Sequence, residues 1–244
     1  MENLSITILM QLLLAHIFTD FMLQPNHWIA HKRKHKGKSF YLVIHALLAG
    51  ILSYVFLMHW EWWYIAVFIS ISHYLIDFWK LNSNRDDLTY FLLDQLLHLL
   101  MILVAWLYLI QGFSEVLPQL QHFFSSPKVL IIIAAYLSVV FPAGFFIGKA
   151  TQRWQKEIDI QYEATSLDAA GRYIGIFERL LVLTFILTGN FSAIGFLIAA
   201  KSILRFSDKS DSGARKQTEY VLIGTLISFS ISIFAGLLVR HFLF

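Results

Sequence analysis

Apolar residues along this chain come in long blocks that are separated by short polar connections. The blocks run over residues 4–23, 41–57, 62–79, 91–110, 129–147, 174–187, 191–204 and 220–239. A helix needs about 20 such residues to cross a hydrocarbon core of about 30 Å, and most of the blocks reach that length. Since backbone groups in lipid must bond internally, the pattern predicts an all-α, polytopic bundle of transmembrane helices.

Two of the later blocks, 174–187 and 191–204, are short and are separated mainly by Gly189 and Asn190. A tight helical hairpin and a re-entrant pair are both compatible with this spacing. The prediction is therefore about eight spans, with six as the fallback.

Composition agrees with a membrane protein, because 57% of the residues are hydrophobic and only 14% are charged. A soluble domain has about 25% charged residues. The first block is not a cleaved signal peptide, since it lacks a basic start and is interrupted by His16 and Asp20. The absence of cysteine excludes disulfides and thiolate metal sites.

Basic residues fall on alternate connections, after the first, third, fifth and seventh blocks. They are Lys32, Arg33, Lys34, Lys36 and Lys38; Lys80 and Arg85; Lys149, Arg153, Lys156 and Arg172; and Lys201, Arg205, Lys209, Arg215 and Lys216. The positive-inside rule then places both termini of a multi-pass membrane protein outside. This topology accounts for the net charge of +3 without a nucleic-acid partner. Membrane lipid is the expected partner, and a homo-oligomer is compatible with the sequence.

The chain divides into a four-helix His/Asp module at 1–110 and a second helical module at 129–244. The connection at 111–128 contains Pro118 and Pro127. A polar stretch at 151–172 is predicted to be an amphipathic or irregular cytoplasmic segment.

Three carboxylates occur within or at the ends of the apolar blocks of the first module, and each has a histidine four positions away. The pairs are His16 with Asp20, His73 with Asp77, and Asp94 with His98. Residues four apart lie on one helix face, so each pair offers an imidazole and a carboxylate to the same neighbour. Ionisable residues within membrane spans are rare, and functional roles are the default hypothesis for them.

The predicted topology places these pairs at one depth near the cytoplasmic face, together with His45 from the second block. The candidate metal ligands are His16, Asp20, His45, His73, Asp77, Asp94 and His98. Imidazole and carboxylate together suit zinc, iron or manganese, and we expect a divalent metal with zinc as the first choice. Seven ligands exceed the four of a tetrahedral zinc, so two metals, or one metal with orienting partners, would fit.

Catalytic roles are predicted for the three carboxylates and for one lysine at the edge of this layer. These residues are Asp20, Asp77, Asp94 and Lys80. A carboxylate would serve as general base, and the ammonium group would stabilise phosphate charge. Gln24 and Gln95 flank the layer and would orient ligands or a substrate oxygen. The competing interpretations are hydrogen-bonded helix pairs without a ligand, and a proton relay.

Charged residues of the second module also lie at the predicted cytoplasmic ends of its helices. Those considered for substrate binding are Glu178, Arg179, Lys201, Arg205 and Glu219. Interfacial snorkelling with ion pairing is one interpretation. A clamp for a phosphate or a lipid headgroup is the other.

The segments AHIFTDFMLQ, SHYLIDFWK and FLLDQLLH, with His45 between the first two, resemble an uncharacterised bacterial membrane family described only as a domain of unknown function. The segments GRYIGIFERLLVL, GFLIAAKSILRF and EYVLIGTLISF look like the companion region of its longer members. This resemblance implies a protein of the bacterial cytoplasmic (inner) membrane and no established activity. A weaker likeness links the chain to membrane-bound metal-dependent hydrolases and to helical zinc phosphoesterases of the phospholipase C type, which also use His-x-x-x-Asp helix pairs as ligands.

The leading functional hypothesis is a membrane-embedded, metal-dependent hydrolase that acts near the cytoplasmic face on a lipid or a phosphoester. The runner-up is a transporter or channel in which the His/Asp layer relays protons or cations. It predicts a water-filled path that continues outward from the layer. A third class is a sensor or assembly partner whose second module binds another protein.

Overall fold

The structure is a computed structural model that describes residues 2–83, 85, 87–159, 168–206 and 212–243. Side chains are described for residues 4–83, 85, 87–154, 170–203 and 219–243. Over the described residues the regular secondary structure is entirely helical, which confirms the predicted all-α class.

The helices follow one another with short connections. They are α1 (Glu2–Ile17), α2 (Asn26–His35), α3 (Phe40–Leu57), α4 (Trp63–Asn82), α5 (Leu88–Leu109), α6 (Phe113–Ser125), α7 (Pro127–Val140), α8 (Pro142–Asp159), α9 (Asp168–Leu187), α10 (Phe191–Phe206) and α11 (Ser212–Leu243). A π-helical turn, Phe18–Met22, continues α1, and short 3-10 turns precede α3 and α4.

Five helical segments are long and apolar enough to cross a membrane, within the described residues. They are Leu4–Met22, Phe40–Leu57, Leu88–Leu109, Pro127–Trp154 and Glu219–Leu243. Helix α4 has sufficient length, but His73, Asp77 and Lys80 make it more polar than these five. The segments support an integral membrane protein, while the count of eight spans and the location of the termini stay predictions.

Two compact units make up the chain, Met1–Pro118 and Gln119–Phe244. The division falls within α6, which occupies much of the stretch 111–128 that the sequence marked as a connection. Pro118 lies inside this helix as its sixth residue, so it does not mark a loop between the two modules.

In the first unit, α1, α3, α4 and α5 form a four-helix bundle in which α3 packs on α1 and α4, and α5 packs on α4 and α1. One half of this bundle is an apolar core. Its buried members are Ile8, Leu12, Ala49, Leu57, Ile65, Ile69, Ile102 and Ala105. Helices α3 and α4 approach closely at Gly50, where a Cβ atom would overlap the Ser70 hydroxyl and the Ala66 carbonyl oxygen.

The second unit packs α7, α9 and α11 around Ala135, Val139, Leu183 and Val239. Helices α9 and α10 are separate and are joined by a short turn in which Gly189 has a φ of +76°. A φ in this region favours glycine, which has no Cβ penalty there.

Two polar segments are more regular than the sequence indicated. The basic segment after the first span, which the sequence analysis treated as a polar connection, contains helix α2. Helix α8 extends to Asp159, so the first part of the stretch 151–172 is helical. Residues 160–167 of that stretch lie outside the described residues.

Candidate metal centre

The polar half of the four-helix bundle gathers all seven predicted ligands of the first unit. They come from the end of α1 and its π-helical turn, the start of α3, the end of α4 and the start of α5. The seven are His16, Asp20, His45, His73, Asp77, Asp94 and His98, here called the His/Asp layer. Their side chains are buried, and Asp20 is the most exposed at 10%.

Asp20 lies closer to a histidine of another helix than to the histidine of its own predicted pair. His16 Nδ1 lies 3.9 Å from Asp20 Oδ1 of its own pair. By contrast, His73 Nε2 lies 3.2 Å from Asp20 Oδ1 of a different helix. The spacing of four therefore brings the groups to one face, and the packing of neighbouring helices decides which groups meet.

Three donor atoms from three elements converge most closely, and they are called the Asp20 triad. Asp20 Oδ1 lies 3.4 Å from His45 Nε2 and 3.2 Å from His73 Nε2. The two imidazole nitrogens lie 3.0 Å apart. In a tetrahedral zinc site with bonds of about 2.0–2.1 Å, ligand atoms are separated by about 3.3 Å. The triad therefore has the spacing of ligands that share one small metal ion.

Asp20 takes its position from an irregularity in the first span. The α-helix ends at Ile17, and the π-helical turn Phe18–Met22 carries Asp20 at its centre. Thr19, within the same turn, is fully buried and donates its hydroxyl to the Ala15 carbonyl oxygen over 2.8 Å. Single π-turns in α-helices occur frequently at functional sites.

Two lysines neutralise two of the three carboxylates. Lys32 Nζ donates to Asp77 Oδ2 over 2.7 Å, and Lys80 Nζ donates to Asp94 Oδ2 over the same distance. Lys32 is buried at 5% exposure, whereas the Lys80 side chain is 30% exposed. With neutral imidazoles, three carboxylates against two ammonium groups leave one net negative charge, which Asp20 carries.

Two glutamines form hydrogen bonds with residues of the layer. Gln95 accepts from His16 Nε2 over 3.3 Å and donates to Asp20 Oδ2 and Asp94 Oδ2. This contact places the proton of a neutral His16 on Nε2 and leaves the lone pair of Nδ1 facing Asp20. Gln24 Nε2 donates to His45 Nε2 over 2.7 Å, so a metal ion bound by this nitrogen would replace that hydrogen bond.

Several donor and acceptor atoms of the layer are buried without a hydrogen-bond partner. They are Asp20 Oδ1, His45 Nδ1, Asp94 Oδ1 and His98 Nε2. An unsatisfied buried polar atom costs about 1–3 kcal/mol, so such atoms are uncommon in native structures. Two of these four atoms are carboxylate oxygens, and a third is an imidazole nitrogen that faces carboxylates. A bound cation would supply the missing partner for all three.

A small cavity, with room for about one water molecule, borders the layer on the side of the apolar core. His16, His73 and His98 line it together with core residues such as Leu12 and Ile102. A water molecule in this cavity would lie beside three of the four imidazoles.

The residues predicted to bind substrate in the second unit make contacts of their own. Lys201 Nζ donates to Glu178 over 2.6 Å, as the ion-pairing interpretation expects. Arg179 is buried and donates to the carbonyl oxygens of Val139 and Val140, at the break between α7 and α8. The side chain of Arg205 lies outside the described residues, and Glu219 is exposed at the start of the last apolar segment.

Lys32 contacts the layer but was not among the predicted site residues, because the sequence analysis counted it only among the basic residues of a connection. Its signal was the position of Trp28 and Ile29, which precede it by four and three residues and are half-buried. An apolar pair at this spacing marks the inward face of a helix, and Lys32 shares that face.

A family described as protein of unknown function (DUF3307) matches residues 8–140, and the chain belongs to this family. The matched range contains every residue of the His/Asp layer, together with Lys32 and Lys80. No curated protein and no solved structure matches the chain. The likeness to metal-dependent hydrolases therefore rests on the sequence motifs alone.

Proposed function

We propose that this protein is a membrane-embedded, metal-dependent hydrolase that acts on a lipid or another phosphoester at the cytoplasmic face of the bacterial inner membrane. The observation that carries the proposal is the Asp20 triad, whose donor atoms lie 3.0–3.4 Å from one another. This spacing, in a bundle otherwise built from apolar helices, supports a metal centre more directly than any other feature.

The donor set matches a borderline metal. Two imidazoles and one carboxylate suit zinc, and catalytic zinc sites commonly use three protein ligands and keep one position open. The single negative charge that remains on the layer attracts one cation. His16 Nδ1 lies 3.9 Å from Asp20 Oδ1 and is available either as a fourth ligand or as a partner of a bound water.

A bound zinc would polarise the scissile phosphoryl group and lower the pKa of a coordinated water. The chain itself supplies orientation and charge. Gln95 holds Asp20, His16 and Asp94 in register through three hydrogen bonds. Lys80 is the partly exposed cation of the site, so it is the group best placed to meet an anionic substrate. The predicted roles of Lys201 and Arg205 in binding substrate stay predictions.

The orientation of the site follows from charge. The layer lies at the bundle end that also carries the basic helix α2 and Lys80 with Arg85. By the positive-inside rule this end faces the cytoplasm, with both termini outside and about eight spans in all. A substrate would then reach the layer from the cytoplasmic leaflet or from the cytoplasm.

A proton or cation relay is the second candidate, and one observation favours it. The four imidazoles are in contact, with ring centroids 4.1 Å apart for His73 and His98 and 5.2 Å apart for His16 and His98. A relay across the membrane needs a polar path to the other face. The apolar core fills the other half of the bundle, which supports hydrolysis over transport.

The test uses purified protein in nanodiscs that contain phosphatidylethanolamine, phosphatidylglycerol, cardiolipin and phosphatidic acid. Mass spectrometry of the lipids should show zinc-dependent loss of one headgroup class. EDTA and Asp20→Asn should abolish this loss. Glu115→Gln, an amide substitution at an exposed carboxylate of α6, is the matched control and should leave turnover unchanged.

Unchanged lipids and unchanged soluble phosphomonoesters with the zinc-loaded protein would contradict hydrolysis. Proton flux into proteoliposomes that depends on Asp20 would then establish the relay instead. Loss of turnover in Glu115→Gln as well would show that the assay reports general damage and would remove the support from Asp20→Asn.

A further inference from the structure

A second group of donor atoms lies in the same layer and is formed by Asp77, Asp94 and His98. Asp77, Asp94 and His98 each offer one ligand atom, and these atoms lie within 4.8 Å of one another. All three side chains are buried, with exposures of 7%, 2% and 3% respectively. They come from facing ends of α4 and α5, and they share no donor atom with the triad.

The hydrogen bonding of His98 fixes which of its nitrogens is free. His98 Nδ1 lies 2.9 Å from the backbone carbonyl oxygen of Asp94. A carbonyl oxygen only accepts, so Nδ1 carries the proton and the neutral ring has its lone pair on Nε2. Nε2 is buried without a partner and lies 4.0 Å from Asp77 Oδ1.

This arrangement places electron-rich atoms against one another. Asp94 Oδ1 is likewise buried without a hydrogen-bond partner. A lone pair and two carboxylates repel one another in a medium of low dielectric constant unless a cation lies between them. Ligands on opposite sides of one metal ion are up to about 4.2 Å apart with bonds of about 2.1 Å, so only a small contraction is needed.

Asp77 has the position of a bridging carboxylate. Its Oδ2 lies 3.8 Å from His45 Nε2 of the triad, while its Oδ1 is directed toward His98. Two-metal hydrolytic sites hold their ions about 3.5–4 Å apart, a distance that one carboxylate spans.

The positive charges of Lys32 and Lys80 balance the negative charges of the two carboxylates in this second group. Lys32 and Lys80 each bond the Oδ2 atom of one carboxylate, at 2.7 Å. Their two ammonium charges equal the charge of one divalent ion. The net charge of the layer is therefore the same in two states. In the first state one metal is bound and both lysines contact the carboxylates. In the second state two metals are bound and both lysines have moved away.

We propose that Asp77, Asp94 and His98 form a second divalent-cation site, bridged to the first by Asp77, and that Lys32 and Lys80 keep it closed to the second ion. The proposal rests on the proposed first metal at the Asp20 triad. Two carboxylates and one imidazole form a harder donor set than the triad, so this site should accept manganese more readily than the first. Displacement of Lys80 by the ion would release its ammonium group toward solvent and toward an anionic substrate.

The experiment is equilibrium dialysis of the detergent-purified protein against zinc and, separately, against manganese, with metal content measured by mass spectrometry. The wild type should retain one zinc, and the Lys32→Met, Lys80→Met variant should retain two. Lys32→Arg, Lys80→Arg preserves both charges and should retain one. Adding His98→Ala to the methionine variant should return it to one.

Lys80→Met alone keeps the buried Lys32–Asp77 pair and covers the case in which the double variant does not fold. Its second ion should bind at least about tenfold more tightly than in the wild type, because one repelling charge is gone. One metal in every folded lysine variant would overturn the second site and leave the proposed function intact. A second ion that binds the wild type as tightly as it binds Lys80→Met would overturn the role of the lysines. No metal in any protein would overturn the proposed function itself.

Discussion

The two units of this chain both bury charged side chains, but they satisfy them differently. In the second unit, Glu178 meets Lys201 and Arg179 meets two backbone carbonyl oxygens. In the first unit, four buried polar atoms of the His/Asp layer have no hydrogen-bond partner, against one, Ser228 Oγ, in the described part of the second. Buried polar groups that stabilise a membrane fold have partners, whereas buried polar atoms without a partner indicate a site for a ligand.

The two units also differ in how deeply their ion pairs are buried. The Lys32–Asp77 pair is almost inaccessible, with side-chain exposures of 7% and 9%, while the Lys201 side chain is 21% exposed. Breaking a buried pair leaves an uncompensated charge, but breaking an accessible pair leaves a charge that water can reach. The same chemical change should therefore have different consequences in the two units.

Lys32→Met should have the largest effect on stability. It leaves Asp77 charged and buried, so we expect the metal-free protein to lose about 3–5 kcal/mol of unfolding free energy. The measurement is SDS-driven unfolding in the presence of EDTA. Lys34→Met, two positions away and exposed, is the control and should be close to neutral. An equal loss in both variants would mean that α2 tolerates no substitution and that the Asp77 contact is not the cause.

Arg179→Met should follow, with a loss of about 1.5–3 kcal/mol, because hydrogen bonds from a charged donor to the Val139 and Val140 carbonyl oxygens disappear. Metal affinity should not change, since these contacts lie within the second unit. A loss of bound zinc in this variant would show that a charge with a structural role in the second unit also affects the metal site.

Gln95→Leu should weaken metal binding by about 10–100-fold, or about 1.4–2.7 kcal/mol, because the residue orients His16 and Asp20 without being a ligand. Competition with a zinc-binding dye measures the change. Gln119→Leu, at an exposed position of α6, should keep the wild-type affinity. If Gln95→Leu binds zinc as tightly as the wild type, the hydrogen bonds of Gln95 do not position the site.

Lys201→Met should have the smallest effect, about 1 kcal/mol or less in unfolding free energy. Solvent reaches this pair, and salt should reduce the difference further. SDS-driven unfolding at low and high salt concentration measures both. A loss as large as that of Lys32→Met would show that burial does not separate the two units.

The sequence alone predicted the helical class, the chemistry of the layer and the residues that form it. A spacing of four puts His16 with Asp20 and Asp94 with His98 on single faces, and the alternation of basic connections placed those faces at one depth. These inferences need only helix geometry and charge counting, which local sequence carries.

Features that depend on the packing of helices could not be predicted from helix geometry and charge counting. Lys32 sits in a run of basic residues that composition cannot tell apart, and only the packing of α2 makes it a partner of Asp77. The π-helical turn at Asp20 has no residue signature. Asp20 lies closer to His73 than to His16 because of how the π-helical turn is placed relative to α4. The spacing of residues within one helix does not reveal that placement.

The central claim is that the Asp20 triad binds a metal, and the metal content of the purified protein tests it most directly. Protein purified in detergent without added chelator should contain zinc or another divalent metal in stoichiometric amount, and His73→Ala, Asp77→Ala should contain almost none. His122→Ala, Glu115→Ala, which likewise replace one histidine and one carboxylate by alanine at exposed positions of α6, should keep the full amount. Wild-type protein that is folded, functional and free of metal, even after dialysis against zinc, would contradict the claim.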